Sequence, residues 1–251
     1  MTRLDVALVA QGLARSRHQG QQLIAAGQVM VDGHLAGKPS RMVTSDHAIS
    51  VTATPWVSRA AHKLLGALDD SGIAVPQRCL DVGASTGGFT QVLLSRGAGR
   101  VYAIDVGHRQ LAPELAGDKR VTLREGLNAK ALTLADVDDE PVGLAVADLS
   151  FISLTAVLPS ILPLIQPDGS ALMLVKPQFE VGRAALGSSP VVRDEALRRA
   201  SVQQVVATAE ALGWTAVRQA PSRLPGAQGN IEYFVHLRSR ICQSARLGFL
   251  S

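Results

Sequence analysis

Apolar residues recur along this chain in two rhythms. Near the N-terminus, Leu4, Leu8 and Val9 fall at helical spacing, and Gly12 closes the run. Ser16 and Gln19 form a capping-box pattern that starts a second helix, with Leu23 and Ile24 on its inner face and Gly27 where a helix stops. Val29 and Val31 then alternate into Asp32-Gly33, a strong hairpin signal, and His47 to Thr52 predicts one more short strand. Residues 1 to about 55 therefore read as a small α+β module of two helices and a twisted sheet. Pro55, in Thr54-Pro55-Trp56-Val57, breaks any strand and marks a junction, with Trp56 expected to pack between two domains.

From Ser58 the rhythm changes to helices alternating with buried strands. Helices are predicted over Ser58 to Asp70, Gly88 to Arg96, Leu154 to Ile165 and Asp194 to Leu212. Strands are predicted over Cys79 to Val82, Arg100 to Ile104, Val121 to Arg124, Val142 to Ala147 and Ala171 to Val175. Two more follow near Trp214 to Gln219 and Ile231 to Leu237. Such alternation implies an α/β domain over residues 58–251: a doubly wound, mostly parallel sheet with helices on both faces.

Composition narrows the class. With 251 residues, 47% hydrophobic, the chain can bury a large core. Its net charge of +4 suits a polyanionic partner, whereas aromatics at 4% argue against a broad base-stacking platform. Cys79 and Cys242 form neither a Cys-x-x-Cys pair nor a zinc pattern, which points to a reducing cytosol and no metal site. The start, Met1-Thr2-Arg3-Leu4-Asp5, lacks the apolar block of a signal peptide. Phe151 to Ile165, the most apolar long stretch, carries Pro159 and Pro163 and is too short to span a membrane.

Candidate chemistry begins at Leu80-Asp81-Val82-Gly83-Ala84-Ser85-Thr86-Gly87-Gly88. A strand runs into a glycine turn, where a ligand can lie against bare backbone, and then into a helix with unpaired N–H groups. The spacing is neither that of a dinucleotide site nor that of a phosphate loop. Asp81 at this turn would repel a pyrophosphate but suits a cation such as S-adenosylmethionine, with its ammonium and sulfonium groups. Three further strands end in a charge: Asp105, Asp148 and Lys176. Charges placed there face the carboxyl ends of the strands, where open α/β sheets bind ligands. Asp105 can accept from both hydroxyls of a ribose, in dehydrogenases and methyltransferases alike. Asn128 either reads an adenine edge or caps a turn. Lys63, Asp148, Lys176 and Glu232 are two amines and two acids able to converge above the sheet and control one another's protonation.

Two resemblances sharpen this reading. Arg3-Leu4-Asp5, Gly12-Leu13-Ala14-Arg15-Ser16-Arg17, Leu23 to Val29 and Val31-Asp32-Gly33 resemble the ribosomal-protein S-four-like RNA-binding module. It implies that Arg15 and Arg17 face RNA phosphates, the alternative being a solvated helix face. Lys38 and Arg41 are further candidates, and Arg3 and Arg59 complete the expected cations. The whole chain resembles the hemolysin A (TlyA) family of ribosomal-RNA 2′-O-ribose methyltransferases, which join that module to an FtsJ-like, Rossmann-like class I methyltransferase domain. The motifs are Val57 to Leu64, Asp81 to Thr90, Asp105-Val106-Gly107, Asp148 to Leu154, Leu174 to Glu180 and Gly229-Asn230-Ile231-Glu232.

The family resemblance implies a catalytic tetrad at Lys63, Asp148, Lys176 and Glu232. It implies S-adenosylmethionine bound along Gly83, Ala84, Ser85, Thr86, Gly87 and Gly88 and by Asp81, Asp105 and Asn128, with no metal required. Lys176 is then expected to take or stabilise the hydroxyl proton, with Asp148 keeping it in register. Ribosomal RNA or ribosomal subunits in the cytoplasm are the implied partners, with no membrane involved. Three alternatives stay open. They are a nicotinamide-dependent oxidoreductase, an RNA-binding assembly protein with an inactive methyltransferase fold, and a membrane-damaging hemolysin.

Overall fold

The computed structural model describes residues 1–14, 16–25, 27–52, 56–182, 189–226 and 228–240. In the first module β1 (Thr2–Arg3) leads into α1 (Leu4–Ala10), and α2 (Arg17–Ala25) packs across α1. Strands β2 (Val29–Val31) and β3 (His34–Leu35) form the hairpin, with Asp32 and Gly33 at φ of 54° and 75°, the paired left-handed conformations of a type I′ turn. Strand β4 (Met42–Val43) pairs with β1, and β5 (Ile49–Val51) with β2. The β1–β4 pair had no sequence signal, because two residues cannot display an alternation. Leu4, Leu8, Ile24, Val29 and Val31 close the core, whereas Val9 proves exposed. Gly20 inside α2 costs about 1 kcal/mol against alanine. A Cβ there would stand 3.2 Å from the Asp5 carbonyl oxygen, so the glycine lets α1 and α2 approach closely without a tight contact.

The second domain runs α3 (Ala60–Ser71), β6 (Arg78–Val82), α4 (Gly88–Ser95), β7 (Arg100–Ile104), α5 (Pro113–Ala116), β8 (Val121–Arg124) and β9 (Val142–Ala147). It continues through α6 (Leu158–Ile161), β10 (Ile165–Val175), α7 (Pro177–Glu180), α8 (Glu195–Ala211), β11 (Trp214–Pro221) and β12 (Tyr233–Ser239). The sheet order is β11-β12-β10-β9-β6-β7-β8. Strands β8, β7, β6, β9 and β10 are parallel, and β12 runs antiparallel between β10 and β11. The mostly parallel α/β sheet expected from the alternation is therefore present. The order reverses between β6 and β9, and that switch point opens a crevice beyond their carboxyl ends. One face carries α3 and α4 over Leu64, Phe89, Leu93 and Leu172, and Trp56 packs against this core, half-buried. The other carries α8 and the 154–164 segment over Leu80, Ile104, Val175 and Val205.

The helix expected over Leu154 to Ile165 is broken into a 3₁₀ turn, the four-residue α6 and a second 3₁₀ turn. Pro159 and Pro163 each sit in the first turn of a new piece, where a missing N–H is harmless. A continuous helix would have needed those N–H groups. Strand β10 starts correspondingly early, at Ile165, with a register break before Ser170. Asp194 caps α8, its carboxylate accepting from Ala196 N at 2.8 Å. Among the described residues no helix is long and apolar enough to cross a membrane.

Candidate active site

Strand ends deliver the chemistry. Lys63 comes up from α3 and donates through Nζ to Glu232 Oε2 at 2.5 Å, just before β12. Both are sealed, at 6% and 3% side-chain exposure. Beside them, Lys176 at the end of β10 stands 2.6 Å from Asp148 Oδ1 at the end of β9, and this pair is more open, at 11% and 16%. The aligned hydrogen bond of Lys176 goes instead to Ser150 Oγ at 3.0 Å, leaving Asp148 Oδ1 in an ion pair without hydrogen-bond geometry. The four groups, 169 residues apart at the extremes, line one cleft of about 610 Å³ between the two domains. Arg59 lines it too. Burial lowers its pKa, and the negative charges of Glu232 and Asp148 pull the other way.

A second cleft of about 460 Å³ opens beside the first and shares Gly83, Ser85, Asp148, Ser150 and Phe151 with it. Val106, Leu127, Leu149 and Ile152 give it apolar walls, and Asp105 and Asn128 its polar rim. Asp105 is braced by Ser85 N at 2.8 Å and Gly107 N at 2.7 Å. Asn128 caps the next turn, accepting from Lys130 N at 3.0 Å, and it also lines the cleft.

Asp81 needs a correction. It lies inside β6 rather than in the turn, and it is fully buried. Thr90 Oγ1 donates to its Oδ2 at 2.6 Å, while Oδ1 has no partner among the described residues. Burial first, and then the fields of Asp148 and Asp105 against the Thr90 bonds, pushes its pKa up to about 7. The second oxygen of this buried acid is therefore left to accept, and either a cation close by or the acid's own proton relieves the cost of its burial.

The glycines of the turn also make room for the protein's own chain. A Cβ on Gly83 (φ 87°) would stand 2.6 Å from the Asp148 carbonyl oxygen. Gly87 would meet Leu115 and Gly88 would meet Ser58 Oγ. The bare backbone lets the protein's own loops close in, which brings Asp148 over the turn. Ala84, Ser85 and Thr86 line the cleft between them, Ser85 itself at φ 48°.

The first module's cations are partly engaged. Buried Asp5 accepts from Arg3 Nε at 3.0 Å, Arg17 Nε at 3.2 Å and Gln21 Nε2 at 2.9 Å, and the Arg3 bond above all holds its pKa far below the ordinary range. Both guanidinium groups remain accessible, fixed on one anchor that sequence reasoning passed over. Lys38 is not free, because its Nζ donates to the Gln228 carbonyl at 2.5 Å and so ties the module to the Glu232 loop. Arg41 is half-buried in the module, its backbone tied to Leu4 and Lys38. Arg15 and residues 183–188 and 241–251, Cys242 among them, lie outside the described residues. Cys79 is a buried free thiol, its pKa raised to about 12 by burial. No three His, Cys, Asp or Glu side chains among the described residues gather as a metal site.

The model of the FtsJ-like methyltransferase family matches residues 56–239, and that of the S4 domain matches residues 2–49. The TlyA protein of Mycobacterium tuberculosis strain H37Rv, a 16S/23S rRNA (cytidine-2′-O)-methyltransferase, is 50% identical over 242 residues, 95% of this chain and 90% of the relative. Hemolysin A of Brachyspira hyodysenteriae is 39% identical over 236 residues, 93% of this chain and 98% of the relative. A solved structure from Streptococcus thermophilus, described as a candidate hemolysin, superposes with a TM-score of 0.74 at 34% identity, covering 95% of this chain and 88% of the other.

Proposed function

This chain belongs to the FtsJ-like methyltransferases, in the TlyA group, and on that premise we propose that it moves a methyl group from S-adenosylmethionine to a ribose 2′-hydroxyl of ribosomal RNA. The observation that carries the reading is the pairing of Lys176 with Asp148 at 2.6 Å where the two clefts meet. S-adenosylmethionine, when bound, supplies a methyl carbon already activated by a sulfonium, so the protein's task is to position and to handle one proton. The residues suit that ligand. Asp105 and Asn128 offer acceptors to an adenosine, the apolar walls of the smaller cleft take its ring, and the unpartnered buried oxygen of Asp81 favours a cation close by.

In this reading the larger cleft receives the ribose. Lys176 Nζ faces the 2′-hydroxyl and accepts or stabilises its proton as the oxygen–methyl bond forms. Asp148 holds that amine in line, and the sealed Lys63–Glu232 pair sets the charge behind them. Phe151, 91% exposed beside the cleft and in ring contact with Phe179, offers a face on which the target base can stack once it leaves the RNA. Arg3 and Arg17 on the first module, and Arg59 between the domains, meet phosphates. Ribosomal RNA, free or within a subunit in the cytoplasm, is the partner.

The test uses purified protein, ribosomal subunits and methyl-labelled S-adenosylmethionine, with the RNA digested to nucleosides. Label is expected in a 2′-O-methylated nucleoside. Lys176→Ala protein that stays folded and still binds cofactor by calorimetry is expected to lose transfer at least a thousandfold. Label on a base, or undiminished transfer by that variant, would overturn the reading.

A further inference from the structure

The Lys176–Asp148 pair is built from two short segments that have no sheet partner: the turn 148–154 after β9, and 176–180 after β10. The first is conformationally awkward. Phe151 in its middle has φ 65°, a left-handed geometry that costs a bulky side chain about 1 kcal/mol or more, so the surroundings must impose it.

Three contacts join the segments, in order along both. Lys176 Nζ donates to Ser150 Oγ at 3.0 Å. The Phe179 ring meets that of Phe151 with centroids 5.2 Å apart. Glu180 then takes the far end of the turn, where its Oε1 accepts from Leu154 N at 2.8 Å and its Oε2 from the Ser153 hydroxyl. Glu180 is buried, at 8% exposure, and makes no ion pair with a cation among the described residues. A carboxylate sealed without a cation is costly, and burial accordingly raises its pKa while the Ser153 and Leu154 bonds oppose the rise. A glutamine or an apolar residue would fill the volume more cheaply. Neither would accept at both oxygens, which is what the two donors of the turn require.

We propose that Glu180 is a positioning residue for methyl transfer: it clamps the Asp148 turn onto the Lys176 segment and thereby sets the register of the amine and the acid. It does not touch the reacting atoms. The proposal rests on the role given above to Lys176 and Asp148, and the two can fail separately. If the wild-type protein transfers no methyl to RNA, that reading fails. If wild type is active and loosening the clamp costs nothing, only this proposal fails.

The experiment is steady-state kinetics on ribosomal subunits with Glu180→Gln and Ser153→Ala, the second acting from the other side of the clamp and leaving Glu180 in place. Misplacement of about an ångström costs on the order of 100-fold in rate. We expect kcat to fall 10- to 100-fold in Glu180→Gln and several-fold in Ser153→Ala. The KM for RNA should change less than kcat, because the phosphate-facing arginines lie on other segments and only Phe151 rides on the turn. Should Glu180→Gln not fold, Ser153→Ala carries the same test alone. A kcat within twofold of wild type in a folded variant overturns the proposal. So does a loss confined to KM, or one that only follows the folded fraction.

Discussion

The two ends of the central sheet both open into large clefts, and they keep polar groups in opposite ways. At the amino end of the strands a groove of about 740 Å³, larger than either cleft at the carboxyl end, is floored by Ser170 and His236 and rimmed by Arg218 and Arg238. Its buried pair is neutral. His236 Nε2 meets Ser170 Oγ at 3.1 Å, and burial, aided by Arg238, lowers the histidine pKa to about 4. At the carboxyl end Lys63, Glu232, Asp148, Lys176 and Arg59 keep charges in a partly desolvated place. Room alone does not mark the working site. The fold tolerates an expensive concentration of opposed charges at one end and relaxes to an uncharged hydrogen bond at the other. The expense has a reason only where charge is to be used.

The sharpest way to break this contrast is to discharge the carboxyl end. Lys63→Met leaves the Glu232 carboxylate buried without its amine, which costs about 3–5 kcal/mol of stability, toward the lower figure because Arg59 also faces Glu232. Replacing both partners, Lys63→Met with Glu232→Leu, should restore most of the denaturant midpoint, since no unpaired charge remains. Transfer to RNA should stay lost. If the double variant methylates at more than a tenth of the wild-type rate, the sealed pair is structural and the contrast between the ends collapses.

Asp81 sharpens the same comparison, because it is fully buried at the carboxyl end and, like Glu180, makes no ion pair with a cation among the described residues. Its folded pKa of about 7 lies above the ordinary value near 4, so the folded state binds the proton more tightly. Its contribution is favourable at low pH and is lost as pH rises from about 4 through 7. Asp81→Asn should keep the Thr90 bond through its carbonyl oxygen and remove that slope. After the loss from its unpaired amide, it should stabilise the ligand-free protein by about 2 kcal/mol at neutral pH. Cofactor affinity by calorimetry should fall at least tenfold. A variant neither more stable nor weaker in binding would show that Asp81 does not face the cation.

Much of this was legible from residue order, and what escaped did so for physical reasons. β7 and β9 coincide with apolar runs, because buried parallel strands need nearly uninterrupted apolar residues, whereas β8 is a half-buried edge strand. The charges closing such runs, Asp105, Asp148 and Lys176, sit at the strand mouths. Lys63 and Glu232 could be proposed to meet only through convergence and resemblance, since nothing local links positions 169 residues apart. The segment from Leu154 to Ile165 misled because its apolar spacing is helical while two prolines cut the backbone ladder. Asp5, Thr90, Ser150 and Glu180 stand inside the motifs that carry the resemblances, but their roles went unread for one reason. Each works through a hydrogen bond across the fold, and such a bond leaves no periodicity and needs no special spacing. Strand β12 pairs antiparallel at the centre of β10 and β11, a direction that its own sequence does not encode.

The smallest effect belongs to the amino end, and it tests the contrast from the opposite side. His236 has a folded pKa of about 4 against an ordinary value near 6.5, so between those limits the unfolded chain binds more protons. Stability should therefore fall as pH drops from 6.5 toward 4, by about 1 kcal/mol at pH 5.5. His236→Gln retains a hydrogen-bonding side chain for Ser170 and abolishes the titration. Its denaturant midpoint should vary less than that of wild type over this range, while transfer to RNA at neutral pH stays within twofold. An unchanged slope would mean that the buried imidazole is not the titrating group. A large loss of transfer would mean that the two ends of the sheet are coupled, and that the amino-end groove takes part in catalysis after all.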